Sequence, residues 1–146
     1  MLGTDTLFRF YAPSRFKDQV PLALRDFTCT TSSGHFTVPL MAVLKRFRVI
    51  VATCVSASVA HGVGLPRGHF THIFVDEAGQ ATEPEVMIGI KTMADNSTNV
   101  VLAGDPKQLG PIIRSAVARE LGLEKSYLER MMESSAHDAQ RWEGYT

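Results

Sequence analysis

Apolar residues in this chain fall into short unbroken runs, separated by segments in which they recur every three or four positions. The first run, Leu7-Phe8-Arg9-Phe10-Tyr11-Ala12, is rich in aromatics and stops at Pro13, which predicts a strand. Ser14 to Thr37 is mixed, and the polar Cys29–Gly34 segment within it predicts a loop. From Pro39 to Phe47, the spacing of Leu40, Val43, Leu44 and Phe47 marks one helical face, with Pro39 suited to the first turn. Val49-Ile50-Val51-Ala52 is a continuous apolar run, the sign of a strand covered on both faces, and it ends in Thr53-Cys54-Val55-Ser56.

A loop with Gly62, Gly64, Pro66 and Gly68 leads to another strand over Phe70–Val75, ending at Asp76-Glu77. Pro84 to Met93 reads as a helix with Val86, Ile90 and Met93 on one side, broken by Asp95-Asn96-Ser97. Val100–Ala103 is a further buried strand, ending at Gly104-Asp105. Beyond Pro111 the pattern is helical, with Tyr127, Leu128, Met131 and Met132 as the packed face, and the polar last ten or so residues are expected to fray.

Apolar strands alternating with helical segments predict an α/β domain with a mostly parallel sheet. Such sheets bind ligands beyond the carboxyl ends of their strands. Three polar clusters follow strands here: Thr53/Ser56, Asp76/Glu77 and Gly104/Asp105/Gln108. Parallel strands would bring them to one edge.

Composition narrows the picture only a little. The 146 residues carry 15 Lys plus Arg against 15 Asp plus Glu, so net charge neither requires nor excludes a nucleic-acid partner. Two cysteines form no C-x-x-C pair, which predicts a reducing compartment. No apolar stretch approaches the roughly 20 residues of a membrane span, and Met1–Asp5 has no signal-peptide pattern. The expectation is a soluble intracellular domain without a membrane partner. The five histidines, His69 and His72 included, show no zinc-like spacing with Cys29 and Cys54.

Phe74-Val75-Asp76-Glu77 has the form of a Walker B segment, an apolar strand followed by two acids. Magnesium takes oxygen ligands and keeps several waters, so one carboxylate at a strand end can anchor it. A second carboxylate beside it can take a proton from an attacking water. A bare Asp-Glu pair is more often a solvated strand end, but Asp76-Glu77-Ala78-Gly79-Gln80 is a longer and more specific string. In Gly104–Pro111, turn chemistry explains Gly104, Asp105 and Pro106 but not the Lys-Gln-Leu-Gly-Pro that follows. A glutamine there could donate a hydrogen bond to a terminal phosphate.

These two strings resemble motifs II and III of superfamily 1 helicases. The nearest likeness is to RNA helicases related to the nonsense-mediated-decay helicase, in the Armitage-like, RNA-silencing branch. Phe70–Val75, Glu83-Pro84-Glu85 and Ser126-Tyr127-Leu128-Glu129-Arg130 add to it. The likeness runs from about Leu7 to about Met132 and is strongest between His69 and Ser115. It implies a RecA-like domain of the P-loop NTPase type, using ATP and Mg2+ and acting on single-stranded RNA. Asp76 would hold the metal through water and Glu77 would be the catalytic base. Gln108 would sense the γ-phosphate, and Gln80 and Asp105 would link the motifs and help bind the nucleotide. Thr53 and Ser56 fall where the family's motif Ic meets the nucleic-acid backbone, although a turn or helix cap is the commoner role for such a pair. The resemblance also implies a cytoplasmic setting, with ribonucleoprotein granules and RNA-silencing or decay ribonucleoproteins as partners.

The family's phosphate cradle, G-x-x-x-x-G-K-[ST], has no counterpart, since no Gly-Lys pair occurs in the chain and Gly89-Ile90-Lys91-Thr92 lies in a predicted helix. Residues 1–146 are therefore expected to be the latter part of an incomplete first RecA-like domain, with motifs Ic, II and III and without the P-loop or the second RecA-like domain. Such a chain would be inactive alone. The alternative is a non-catalytic pseudo-helicase module acting through RNA or protein contacts.

Overall fold

The computed structural model of the chain describes residues 3–134. In order these are β1 (Leu7–Arg9), a 3-10 turn at Lys17–Gln19, α1 (Leu22–Arg25), β2 (Cys29–Thr30), β3 (Phe36–Thr37), α2 (Met41–Leu44), β4 (Val49–Val51), α3 (Ser58–Gly62), β5 (His72–Val75), α4 (Glu83–Met93), β6 (Asn99–Leu102) and α5 (Ala116–Glu120). A last helix occupies 127–134. The expectation for the polar carboxyl-terminal residues lies outside the described residues.

β1 pairs in parallel with β4, Phe8 opposite Ile50, and β5 pairs in parallel with β6, Ile73 opposite Val100 and Val75 opposite Leu102. The parallel α/β expectation therefore holds for the four strands that carry the apolar runs. β2 and β3 form a small antiparallel hairpin in place of a plain loop. Its ladder is extended by Thr31 N–H donating to His35 O at 2.8 Å, and Gly34 takes φ 84 in the turn. Two-residue strands leave too little alternation for a sequence pattern to register.

Two apolar clusters hold the elements together. Phe8, Phe10, Leu44, Ala60, Leu65 and Met93 form one, joining β1 to α2, α3 and the end of α4. Val75, Ala78, Val86 and Leu128 form the other, joining β5 to α4 and the helix at 127–134. Each large aliphatic side chain so buried contributes about 1.5–3 kcal/mol. The longest helix among the described residues, α4, matches its expected span. Thr82 begins it, its backbone N–H and hydroxyl both donating to the Glu85 carboxylate, with Pro84 in the first turn.

Three packing expectations change. The strands are not covered on both faces: Val49, Val51, Val100 and Val101 are exposed, and Phe74 is 72% exposed. A parallel sheet is buried on both sides only when a layer stands on each, and the two clusters among the described residues pack against one side of β5. The helix from Pro39 shortens to Met41–Leu44. It buries Leu44 while Leu40 and Val43 face outward, because four residues make only one turn and present a narrow face. Near the carboxyl end, Leu128 is buried as expected but Met131 and Met132 are exposed. No helix among the described residues is long and apolar enough to cross a membrane.

Candidate functional site

The in-register pairing of β5 and β6 sends the two motif strings off the same edge. Ala103 N–H donates to Val75 O at 2.8 Å, and Ala78 N–H donates to Ala103 O at 2.8 Å, so the ladder continues into the loops. Ala78 is fully buried between them. A Cβ on Gly79 would stand 2.9 Å from Asp105 O, and one on Gly104 would stand 3.0 Å from the amide nitrogens of Ala78 and Gly79. Both positions need glycine for close backbone approach, and Gly104 also sits at φ 156. Two residues before Gly79, Glu77 adopts φ 53, the one described non-glycine residue with positive φ. Backbone strain of this kind persists where surrounding structure enforces it.

Asp76, Glu77, Gln80, Asp105 and Gln108 are all exposed at this edge. Asp76 Oδ1 accepts the Glu77 N–H at 3.1 Å. Gln80 reaches Glu77 Oε2 through its side-chain amide at 3.4 Å, and Gln108 reaches Asp105 Oδ2 likewise at 3.4 Å, both long for hydrogen bonds. Asp105 Oδ1 accepts the Lys107 N–H at 2.9 Å. The side chains of Gln80 and Asp105 thus bond within their own motifs, and the link between motifs is made by backbone. A cleft of about 600 Å³, lined by Gln80, Lys107, Gln108, Leu109 and Gly110, opens beside these groups.

Thr53 and Ser56 follow β4 rather than β5 or β6. Their hydroxyls bond each other at 3.0 Å, and Ser56 N–H donates to Thr53 Oγ1 at 3.3 Å, closing a turn ahead of α3. Thr53 remains exposed. Cys54, between them, packs against the second cluster and so ties the end of β4 to the motif II side. Its thiol is pushed above the ordinary cysteine range, first by burial and then by the negative charge of Glu85. The segments around Glu83 and Ser126 are also joined, since Arg130 ion-pairs with Glu83 and Thr82 bridges to the buried Ser126.

No group of three or more His, Cys, Asp and Glu able to hold a metal occurs among the described residues. His72 instead stacks on Phe74 and shares a hydrogen bond with Thr71. An exposed single carboxylate such as Asp76 suits a magnesium ion that keeps its waters and takes its other ligands from phosphate. The residues present fit that half of a metal–nucleotide site. Lys107 and the glycine pair join the site through the fold, beyond the residues that motif chemistry picks out. The readable signal for Gly79 and Gly104 is a glycine in each motif string close to the point where the chain leaves a strand.

A profile of the AAA domain matches residues 28–116, more than half of the chain. The chain belongs to the AAA domain family. It is 43% identical over 137 residues to the RNA helicase Mov10l1 of Homo sapiens, covering 94% of this chain and 11% of that protein. The Mus musculus RNA helicase Mov10l1 is 51% identical over 92 residues, covering 63% of this chain and 8% of that protein. The Drosophila melanogaster protein named Probable RNA helicase armi is 43% identical over 97 residues, covering 65% of this chain and 8% of that protein. These relatives bear out the Armitage-like superfamily 1 likeness carried by the two motif strings, and with the parallel strands they fit a partial RecA-like domain. The chain spans about a tenth of the length of the curated relatives it matches.

Proposed function

We propose that this chain is the motif II–III part of an ATP-dependent RNA helicase motor, the latter part of its first RecA-like domain. The observation that carries this reading is the backbone lock between Ala78-Gly79 and Gly104-Asp105 at the carboxyl edge of two parallel strands. It presents two acids and a glutamine on one solvent-facing rim beside an open cleft. When bound, Mg2+ would neutralise the phosphates of ATP. Asp76 would anchor its water shell, and Glu77 would accept a proton from the attacking water. Gln108 would donate to the terminal phosphate through its amide, and Gln80 would hold the Glu77 carboxylate in place. A change at the phosphate would move the motif III loop and, through the glycine contact, the motif II loop.

Thr53 and Ser56 would offer hydroxyls to RNA phosphates by breaking their mutual bond. Single-stranded RNA is the proposed substrate track and silencing or decay ribonucleoproteins the proposed context, with the cytoplasm and its granules as location. Lacking a Gly-Lys phosphate cradle, residues 1–146 would not hydrolyse ATP alone.

The test is a chimera of human Mov10l1 in which this chain replaces the segment it matches. The expected result is RNA-stimulated phosphate release and unwinding by the chimera, lost with Glu77→Gln, and no release by the isolated chain. Magnesium-dependent phosphate release by the isolated chain that Glu77→Gln abolishes would overturn the expectation of inactivity. A well-folded chimera whose ATPase is indifferent to Glu77→Gln would overturn the motor assignment.

A further inference from the structure

We propose that the cavity over the β1–β4 pair binds a carboxylate carried beside an aliphatic side chain, and so docks an acidic, apolar peptide segment. Arg9 ends β1, and strand alternation places it on the face opposite Phe8 and Phe10, away from the first apolar cluster. Its guanidinium stands 4.7 Å from the centre of the Tyr11 ring. Among the described residues, Arg9 Nε is buried with no hydrogen-bond partner, and Arg9 joins none of the ion pairs. A buried donor on a charged group is costly to leave unmade, and nearly all such groups in folded proteins find an acceptor.

The cavity has a volume of about 270 Å³ and is lined by Leu7, Arg9, Leu24, Phe27 and Val51. Four walls are apolar and one is a cation. That space suits one or two side chains, being smaller than most small-molecule pockets. The charge pattern selects the occupant. A phosphodiester strand carries one charge per nucleotide and draws its affinity from several cations, but among the described residues Arg9 is the sole cation in the lining. Arg15 lies over the same Tyr11 ring at 5.0 Å without lining the cavity, and Arg25 is committed to Val20 O at 2.9 Å and to Asp18. A planar guanidinium matches one carboxylate in a two-bond fork, and the apolar walls match the aliphatic neighbour. The cavity shares no residue with the cleft at Gln80 and Gln108, so this inference stands apart from the motor reading.

The experiment is an NMR titration of the isotopically labelled chain with acetyl-Leu-Asp-Leu-amide and with its analogue acetyl-Leu-Asn-Leu-amide. The expected result is shifts confined to Arg9, including its Nε–H, and to Leu7, Leu24, Phe27 and Val51, with the aspartate peptide binding about tenfold more tightly or better, as expected for a hydrogen bond to a charged group. Arg9→Gln should erase that preference. The peptide pair decides the question on the unaltered chain, whether or not the variant folds. Equal binding of the two peptides, or no shift at these residues at millimolar peptide, would overturn the proposal. So would an oligouridylate that moves the same resonances at lower concentration than the aspartate peptide.

Discussion

Gly79 lies so close to Asp105 that a methyl group on it would stand 2.9 Å from the Asp105 carbonyl oxygen. Backbone meets backbone here, so no flexible side chain can give way. Gly79→Ala is expected to cost about 1–3 kcal/mol, the range for forcing a methyl into packed structure. Gly104→Ala should cost at least as much, since its Cβ would also stand 3.0 Å from two amide nitrogens and its φ is 156. Gly89→Ala should move stability the other way, by about 0.5–1 kcal/mol. It lies inside α4, and its added methyl would meet Ala57 Cβ at an ordinary 3.6 Å. Urea unfolding midpoints of the three variants check the set, and a stabilising Gly79→Ala would show that the two motifs are not locked.

The strand ends were legible in the order of residues, and the contact between the glycines was not. Apolar runs with abrupt polar ends located β4, β5 and β6 and the acids beyond two of them, because a strand's length and its apolar content are both written along the chain. The joining of the two motif loops by backbone left no such mark. The backbone hydrogen bond from Ala78 to Ala103 depends on parallel register, and register is a relation between strands that neither string states alone. Arg9 was hidden for a similar cause. In sequence it is one polar residue within an aromatic run, and only the pairing of β1 with β4 encloses it with Leu24 and Phe27.

Equivalent-looking phenylalanines should differ sharply in their contribution. Phe8 is 3% exposed in the first cluster, and Phe74 is 72% exposed on β5. Phe8→Ala is expected to cost about 3–5 kcal/mol, from lost transfer energy and the cavity left behind. Phe74→Ala should stay within about 1 kcal/mol, as for a surface change. Thermal or urea unfolding of the pair measures the contrast. Comparable losses would mean that the β5 face is covered in solution.

Acid should loosen the turn after α4 once the Asp95 carboxylate takes a proton. Asp95 Oδ1 accepts Ser97 N–H at 2.9 Å, Ser97 Oγ–H at 2.7 Å and Thr98 Oγ1–H at 3.1 Å. Those bonds, Ser97's foremost, hold its carboxyl below the usual aspartate range. A folded-state value below the unfolded one means the stabilisation is complete above the ordinary aspartate value of about 3.9 and is lost as pH falls through the lower folded value. Asp95→Asn should therefore flatten the fall in unfolding midpoint as pH drops below the ordinary aspartate value of about 3.9. An unchanged acid slope would show that Asp95 does not set the acid response. Gly68→Ala tests the same turn at neutral pH. Its Cβ would stand 2.0 Å from Asp95 Oδ2, and φ 74 already disfavours alanine, so a loss of about 1 kcal/mol or more is expected.

Cys54 offers a chemical reading of the contact between the end of β4 and the start of α4. Burial and the Glu85 charge both favour its thiol over its thiolate. The folded chain then holds the Cys54 proton more tightly than the unfolded chain, so this group's effect on stability appears as pH rises past the free-thiol value of about 8.5 and works against the folded state there. In a Cys29→Ser background, the pH midpoint of iodoacetamide alkylation reports Cys54 alone, since the chain has two cysteines. That midpoint is expected above the free-thiol value. Glu85→Gln should lower it while leaving it raised, because burial is the larger cause and Glu85 the second. The variant keeps an acceptor oxygen for Thr82, so the start of α4 is retained. A midpoint that Glu85→Gln fails to move would detach motif II's helix from the β4 end electrostatically. A midpoint that returns fully to the free-thiol value would reverse the order of the two causes.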